Sequence, residues 1–110
     1  MTTPQSIHST VENALGLVAY QPGAVVSREL VKKRSGTVTV FAFDKDQGLS
    51  EHTAPFDALV YVLDGLAEIT LGGEPRRLSK DDMLLMPAGV VHSVKALKRF
   101  KMMLVMIREA

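Results

Sequence analysis

The chain contains no cysteine and no tryptophan, and only two tyrosines and four phenylalanines stand among its 110 residues. Without cysteine there are no disulfides, no thiolate metal ligands and no thiol nucleophile, so redox chemistry by protein sulfur is excluded. An excess of either charge is also missing: thirteen Lys and Arg against twelve Asp and Glu leave a formal charge of +1. A near-neutral chain with few aromatics offers no basic, aromatic-studded face, so nucleic acid is not an expected partner. No stretch approaches the roughly 18 apolar residues of a membrane span. The opening MTTPQSIHSTVENALGL lacks the basic start and apolar run of a secretion signal. The expectation is a cytoplasmic protein with no membrane partner.

What is present is a 46% share of apolar residues, enough for one compact core at this length and too little chain for a second. Ser9-Thr10-Val11-Glu12 has capping-box spacing, which predicts a short helix near residues 10–17 within a tail that runs over 1–22. From residue 23 to 110 the pattern becomes short β-rich runs: Ala24 to Val31, Gly36 to Phe43, Leu49 to Ala54, Ala58 to Leu63, Leu66 to Leu71, Pro75 to Leu78, Met83 to Met86 and Phe100 to Arg108. Gly- and Asp-rich clusters separate them. Asp64-Gly65 between two apolar runs predicts a tight type I′ hairpin. Many short strands with almost no helix point to an all-β sandwich or barrel.

Ala58 to Leu63 does not alternate polar with apolar, and neither do Met83 to Met86 or Met102 to Ile107. Such strands need cover on both faces. One small barrel supplies one covered face, so the sequence predicts a homodimer formed sheet to sheet.

Chemistry rests on two histidines. His52 lies in GLSEHTAPFDALVYVLDG and His92 in PAGVVH, each framed by glycine or proline. Two imidazoles brought into one pocket can hold a divalent ion, while the plain alternative is a pair of partly buried, hydrogen-bonded histidines. Glu51 and Asp57 flank the first histidine, but neighbours in a strand point to opposite faces. Asp57 becomes a third ligand only if a bulge at Pro55-Phe56 swings it inward. His8, in the tail, is expected to have no role. The six methionines read as core filling, with Met102 and Met103 on opposite faces. Tyr61 faces away from Val60 and Val62 and reads as an interface or inter-sheet residue. Ser50 and Ser93 lie beside the histidines without a glycine-framed elbow or an orienting acid, which argues against a serine hydrolase.

The segment Gly48 to Ala96 resembles the paired motifs of the cupins. The first motif of that family runs glycine, histidine, any residue, histidine, three or four residues, glutamate, six residues, glycine. His52 matches its first histidine and Gly65 its last glycine, while Ala54 takes the place of the second histidine and Ala58 that of the glutamate. The second motif is matched by Pro87, Gly89 and His92, with Asp81 where its leading glycine would stand and Ala96 in place of its final asparagine. The resemblance implies a cupin-type double-stranded β-helix, a jelly-roll barrel with at most one short N-terminal helix. It also implies a divalent metal (iron, manganese, nickel, copper or zinc) on His52 and His92, with Asp57 as the candidate substitute ligand. Two alanines in place of ligands suit a small-molecule pocket with Ala54, Ala58, Val60 and Val62 on its wall. The leading expectation is therefore a small-molecule binder. The alternatives are a metal-dependent enzyme of dioxygenase or isomerase type, and a non-catalytic regulatory module.

Overall fold

The computed structural model describes residues 9–109; His8, expected to be idle, lies outside them. The described residues form nine strands: β1 (Val25–Lys33), β2 (Gly36–Phe43), β3 (Gly48–His52), β4 (Asp57–Asp64), β5 (Leu66–Leu71), β6 (Glu74–Ser79), β7 (Met83–Met86), β8 (His92–Ala96) and β9 (Phe100–Ile107). They pair antiparallel in two sheets, ordered β1-β2-β9-β4-β7 and β3-β8-β5-β6. Strands adjacent in sequence repeatedly lie in different sheets, which is the interleaving of a jelly roll. Strand β8 goes unrecognised in the sequence, because five residues after a proline-glycine turn carry too short a pattern to stand out.

The sheets face each other across a core that includes Phe43, Val60, Val62, Ile69, Val94, Phe100 and Met102. Alternation in β4 sends Ala58, Val60 and Val62 inward. Phe43 and Phe100 are paired across β2 and β9 and stack with ring centroids 4.4 Å apart. Burying each ring contributes about 2 kcal/mol through area alone.

Asp64-Gly65 does not form the expected hairpin. Strand β4 belongs to the five-stranded sheet and β5 to the four-stranded one, so the chain crosses between sheets there. Only the glycine has positive φ, at 85°, and a Cβ on it would collide with the carbonyl oxygen of Arg99. The two-residue turn with positive φ at both positions is Gly72-Gly73, between β5 and β6.

The expected N-terminal helix is one 3-10 turn over Ala14–Gly16, capped by the Asn13 side chain, which accepts from the Leu15 amide at 3.0 Å. The Thr10 hydroxyl donates to Glu12 at 2.7 Å, so the glutamate is engaged locally instead of closing a capping box. The chain then packs on the outer face of the five-stranded sheet. Leu17 and Val18 are buried with Leu30, Val40 and Ala42, and Tyr20, Leu63 and Met103 pack against them. A bulge between Glu29 and Val31 lets Leu30 and Val31 both serve that outer side. Part of the two-sided apolar character of β4 and β9 is thus covered within one chain. Met102 and Met103 do divide between the two clusters.

Tyr20 anchors this segment: its hydroxyl donates to Asp64 at 2.7 Å, and Arg99 and Lys101 lie 5.4 and 5.0 Å from its ring centre. Burial, and then the bond to Asp64, push the Tyr20 hydroxyl above the ordinary tyrosine range. Among the described residues, no helix is long and apolar enough to cross a membrane.

Candidate functional site

Strands β3 and β8 pair along one edge of the four-stranded sheet, with Leu49 opposite Val94 and His52 opposite His92. One residue separates Val94 from His92 but two separate Leu49 from His52, so β3 carries one extra residue. This bulge moves Glu51 off the position that strict alternation would assign it and puts His52 there. Strand β5 continues the row, with Leu71 opposite His92.

The two imidazoles meet edge to face, with centroids 4.3 Å apart and Nε2 atoms 3.0 Å apart. His92 is 6% exposed, whereas His52 is open to solvent. Each ring is held from behind: Nδ1 of His52 lies 2.7 Å from the Ser50 carbonyl oxygen, and Nδ1 of His92 lies 3.2 Å from that of Val90. A carbonyl oxygen only accepts, so these contacts assign the hydrogen to Nδ1 in both rings. Both Nε2 atoms then present lone pairs to each other. That is repulsive unless a cation, either a proton or a metal ion, lies between them.

Two further bonds tie the histidine-bearing segments together. The Gly89 amide donates to the Ala54 carbonyl at 2.9 Å, and the Ala88 amide donates to Asp57 Oδ1 at 2.9 Å. Asp57 is therefore a support for the Pro87–Gly89 turn. Its register partner is Ile107, and it shares the outward face of β4 with Leu59 and Tyr61. The inward swing at Pro55-Phe56 that would have made Asp57 a ligand does not occur; the bulge at this end lies in β3. Among the described residues no group of three or more His, Cys, Asp or Glu is gathered for a metal.

Strands β4 and β5 run in opposite senses, so Ala58 at the start of one and Leu71 at the end of the other share the histidine end of the sandwich. Ala58 is 4% exposed, and Ala54 is half-buried. Val60 and Val62 have no exposed surface at all. A wall residue of an open cavity keeps some, so these two belong to the packed core and not to a pocket. A hollow of about 340 Å³ lies away from the histidines, among Val31, Gly36, Val38, Val105 and Ile107.

One residue at this end carries no signal in its local pattern. Thr37 shares a cross-strand row with Met106 and Ala58, is 6% exposed, and its hydroxyl has no hydrogen-bond partner. A threonine in a β-rich run is ordinary, and only the pairing shows that it faces inward. Tyr61, outward as expected, donates to Asp81 at 2.6 Å, and that bond raises its pKa. Asp81 itself holds φ 72°, a left-handed conformation, at the place where the second motif has glycine.

The chain matches the cupin domain family over residues 39–108. With well over half its length matched, the protein belongs to the cupins. It is similar to a conserved protein of unknown function from Streptococcus pyogenes, at 36% identity over 94% of this chain and 91% of that one, with a TM-score of 0.90. A Cupin 2 conserved barrel domain protein from Leptotrichia buccalis is 37% identical over 88% of this chain and 47% of its own length, with a TM-score of 0.86. A cupin superfamily protein from Desulfitobacterium hafniense shares the fold at a TM-score of 0.89 and 23% identity, covering 99% and 100% of the two chains. No curated protein matches the sequence.

Proposed function

We propose that this cupin domain binds a small organic ligand at the histidine end of its sandwich, through a divalent metal ion held by His52 and His92. The observation that carries the reading is the pair of Nε2 atoms 3.0 Å apart, both with their hydrogens committed to Nδ1 by backbone carbonyls. Metal–imidazole bonds are about 2.0–2.1 Å, so one ion can reach both nitrogens. The donor set is two neutral imidazoles, which suits late first-row divalent ions and discriminates poorly among them. When bound, such an ion supplies a Lewis-acidic centre with positions open to oxygen or nitrogen donors of a ligand.

The chain's own contribution is orientation and space. The carbonyls of Ser50 and Val90 fix the ring tautomers, as outer-shell partners of metal-bound histidines do. The bonds from Gly89 to Ala54 and from Ala88 to Asp57 hold the two segments in register. Ala54 and Ala58 leave room where the family motif has larger ligating side chains.

Elemental analysis of tag-free protein, followed by titration calorimetry with Mn²⁺, Ni²⁺ and Zn²⁺ separately, tests the reading. The expected result is about one ion per wild-type chain and none in His52→Ala or His92→Ala, because one imidazole leaves too few ligands. Unchanged uptake in both variants would overturn it.

A further inference from the structure

Among the described residues, the buried polar side chains are those of Thr37, Thr39 and His92. All three stand in the half of the sandwich that holds the histidine pair. The short connection from Phe43 to Gly48 sets β2 and β3 opposite each other in the two sheets, so the start of β2 lies at the same end as the close of β3. Thr37 is therefore on the five-stranded side of the space whose four-stranded side carries His52 and His92. Along the inward face of β2 the order is Thr37, Thr39, Phe41, Phe43, polar at the histidine end and aromatic at the other.

The row of Thr37 continues through Met106 and Ala58 to Met86. That of the histidines continues through Leu71 to Glu74. Glu74, on the edge strand, is exposed and lies 3.7 Å from Arg76, which balances its charge. The rest of these two rows is apolar apart from the imidazoles and the Thr37 hydroxyl. That hydroxyl has no partner, so its lost hydration is made good by no protein atom, a cost that valine would avoid. Methionine side chains are unbranched and change rotamer readily, so Met106 and Met86 can yield space beside Thr37 while the strands stay in place.

We propose that the Thr37 hydroxyl is the ligand-recognition group of the histidine end, and that the ligand is a small monocarboxylate with an apolar body. The inference rests on the reading of an ion held by His52 and His92. Two neutral imidazoles leave the charge of a divalent ion uncompensated, which favours an anionic oxygen donor and disfavours a cation. A carboxylate that gives one oxygen to the ion keeps the other as an acceptor, and the Thr37 hydroxyl donates to it. The apolar body then lies against Ala58, Leu71 and Met106.

Calorimetry in two steps tests the proposal: Zn²⁺ into the metal-free full chain, then butyrate into the Zn²⁺-loaded protein, for wild type, Thr37→Val and Thr37→Ser. All three should take up Zn²⁺ alike. Butyrate should bind wild type, with its Kd raised about tenfold in Thr37→Val and back to within about twofold of wild type in Thr37→Ser, because a hydrogen bond to a charged group is lost and then regained. The n-butylammonium ion should bind none of them. Thr37→Val removes a buried, unpaired hydroxyl, so weaker binding in that variant does not report a damaged fold. Zn²⁺ uptake without butyrate binding in wild type, or with equal butyrate affinity in all three proteins, overturns the role of Thr37 and leaves the metal reading standing. A wild type that takes up no Zn²⁺ shows at the first step that the metal reading has failed, and the proposal falls with it.

Discussion

Across the β3–β8 ladder His92 lies opposite His52, although counting back from the Leu49–Val94 pair by strict alternation would place Glu51 there. One extra residue in β3 decides whether a carboxylate or an imidazole meets His92. The choice matters because a glutamate at that position would bring acceptor oxygens to His92, whereas His52 brings a second ring nitrogen.

Divalent-ion binding should follow this geometry and not the mere presence of a histidine in β3. In a His52→Ala background, Glu51→His should fail to restore ion uptake by calorimetry, since residue 51 is displaced from the inner row. Recovery to near wild-type affinity would show that the bulge can move, and that His52 holds its place only by default.

Restoring the family's ligands should tighten the site. Ala54→His with Ala58→Glu is expected to lower the Kd for Zn²⁺ or Mn²⁺ by at least about tenfold, or about 1.4 kcal/mol. Ala58 is 4% exposed, so the new carboxylate is costly to bury without an ion. Thermal melts of the double variant should therefore fall below wild type when metal-free and rise on metal addition.

Thr37→Val should stabilise the metal-free protein by about 1 kcal/mol in urea unfolding. The substitution is close to isosteric and removes a buried hydroxyl whose desolvation no hydrogen bond offsets. A loss of stability of similar size would mean that the hydroxyl has a partner in solution.

Acid sensitivity should trace in part to Asp44. The Gly23 amide donates to it at 2.7 Å and Arg99 at 2.9 Å, and these bonds, the first the larger influence, lower its pKa from 3.8 to about 2. A carboxylate whose folded pKa lies below its unfolded value stabilises the fold above the unfolded pKa and loses that contribution as pH falls through the folded one. Melting temperature measured against pH should therefore drop between about 4 and 2 in wild type. In Asp44→Asn the neutral-pH value should be lower and that acid limb shallower.

Much of the architecture is legible in local pattern. The limits of β2, β5 and β7 coincide with apolar runs bounded by glycine and charged turns, because strand ends are set by residues that tolerate or demand turn geometry. The inward set of β4 follows from period-two alternation once one face is known to be buried. The two histidines stand out through the proline and glycine around them.

Pairing is another matter, since it joins residues far apart in the chain. Asp64-Gly65 favours a sharp turn, but whether the next strand returns beside β4 or crosses to the other sheet depends on β9 and β7, which already flank β4. The bulge in β3 has no local mark; it shows only once Leu49 is paired with Val94 and His52 with His92 on β8, whose short pattern hid it. Asp57 reads as a ligand candidate beside a histidine and becomes a turn support because Ala88, 31 residues later, brings an amide to it. Sequence by itself determined most of the strand segments, the residues that end them and which two side chains stand out as paired nitrogen donors, since these follow from each residue's own conformational and electronic preferences. Only the tertiary structure decided which strand lies beside which, and hence which side chain meets His92, because hydrogen-bond register between distant strands is settled by the packing of the whole core.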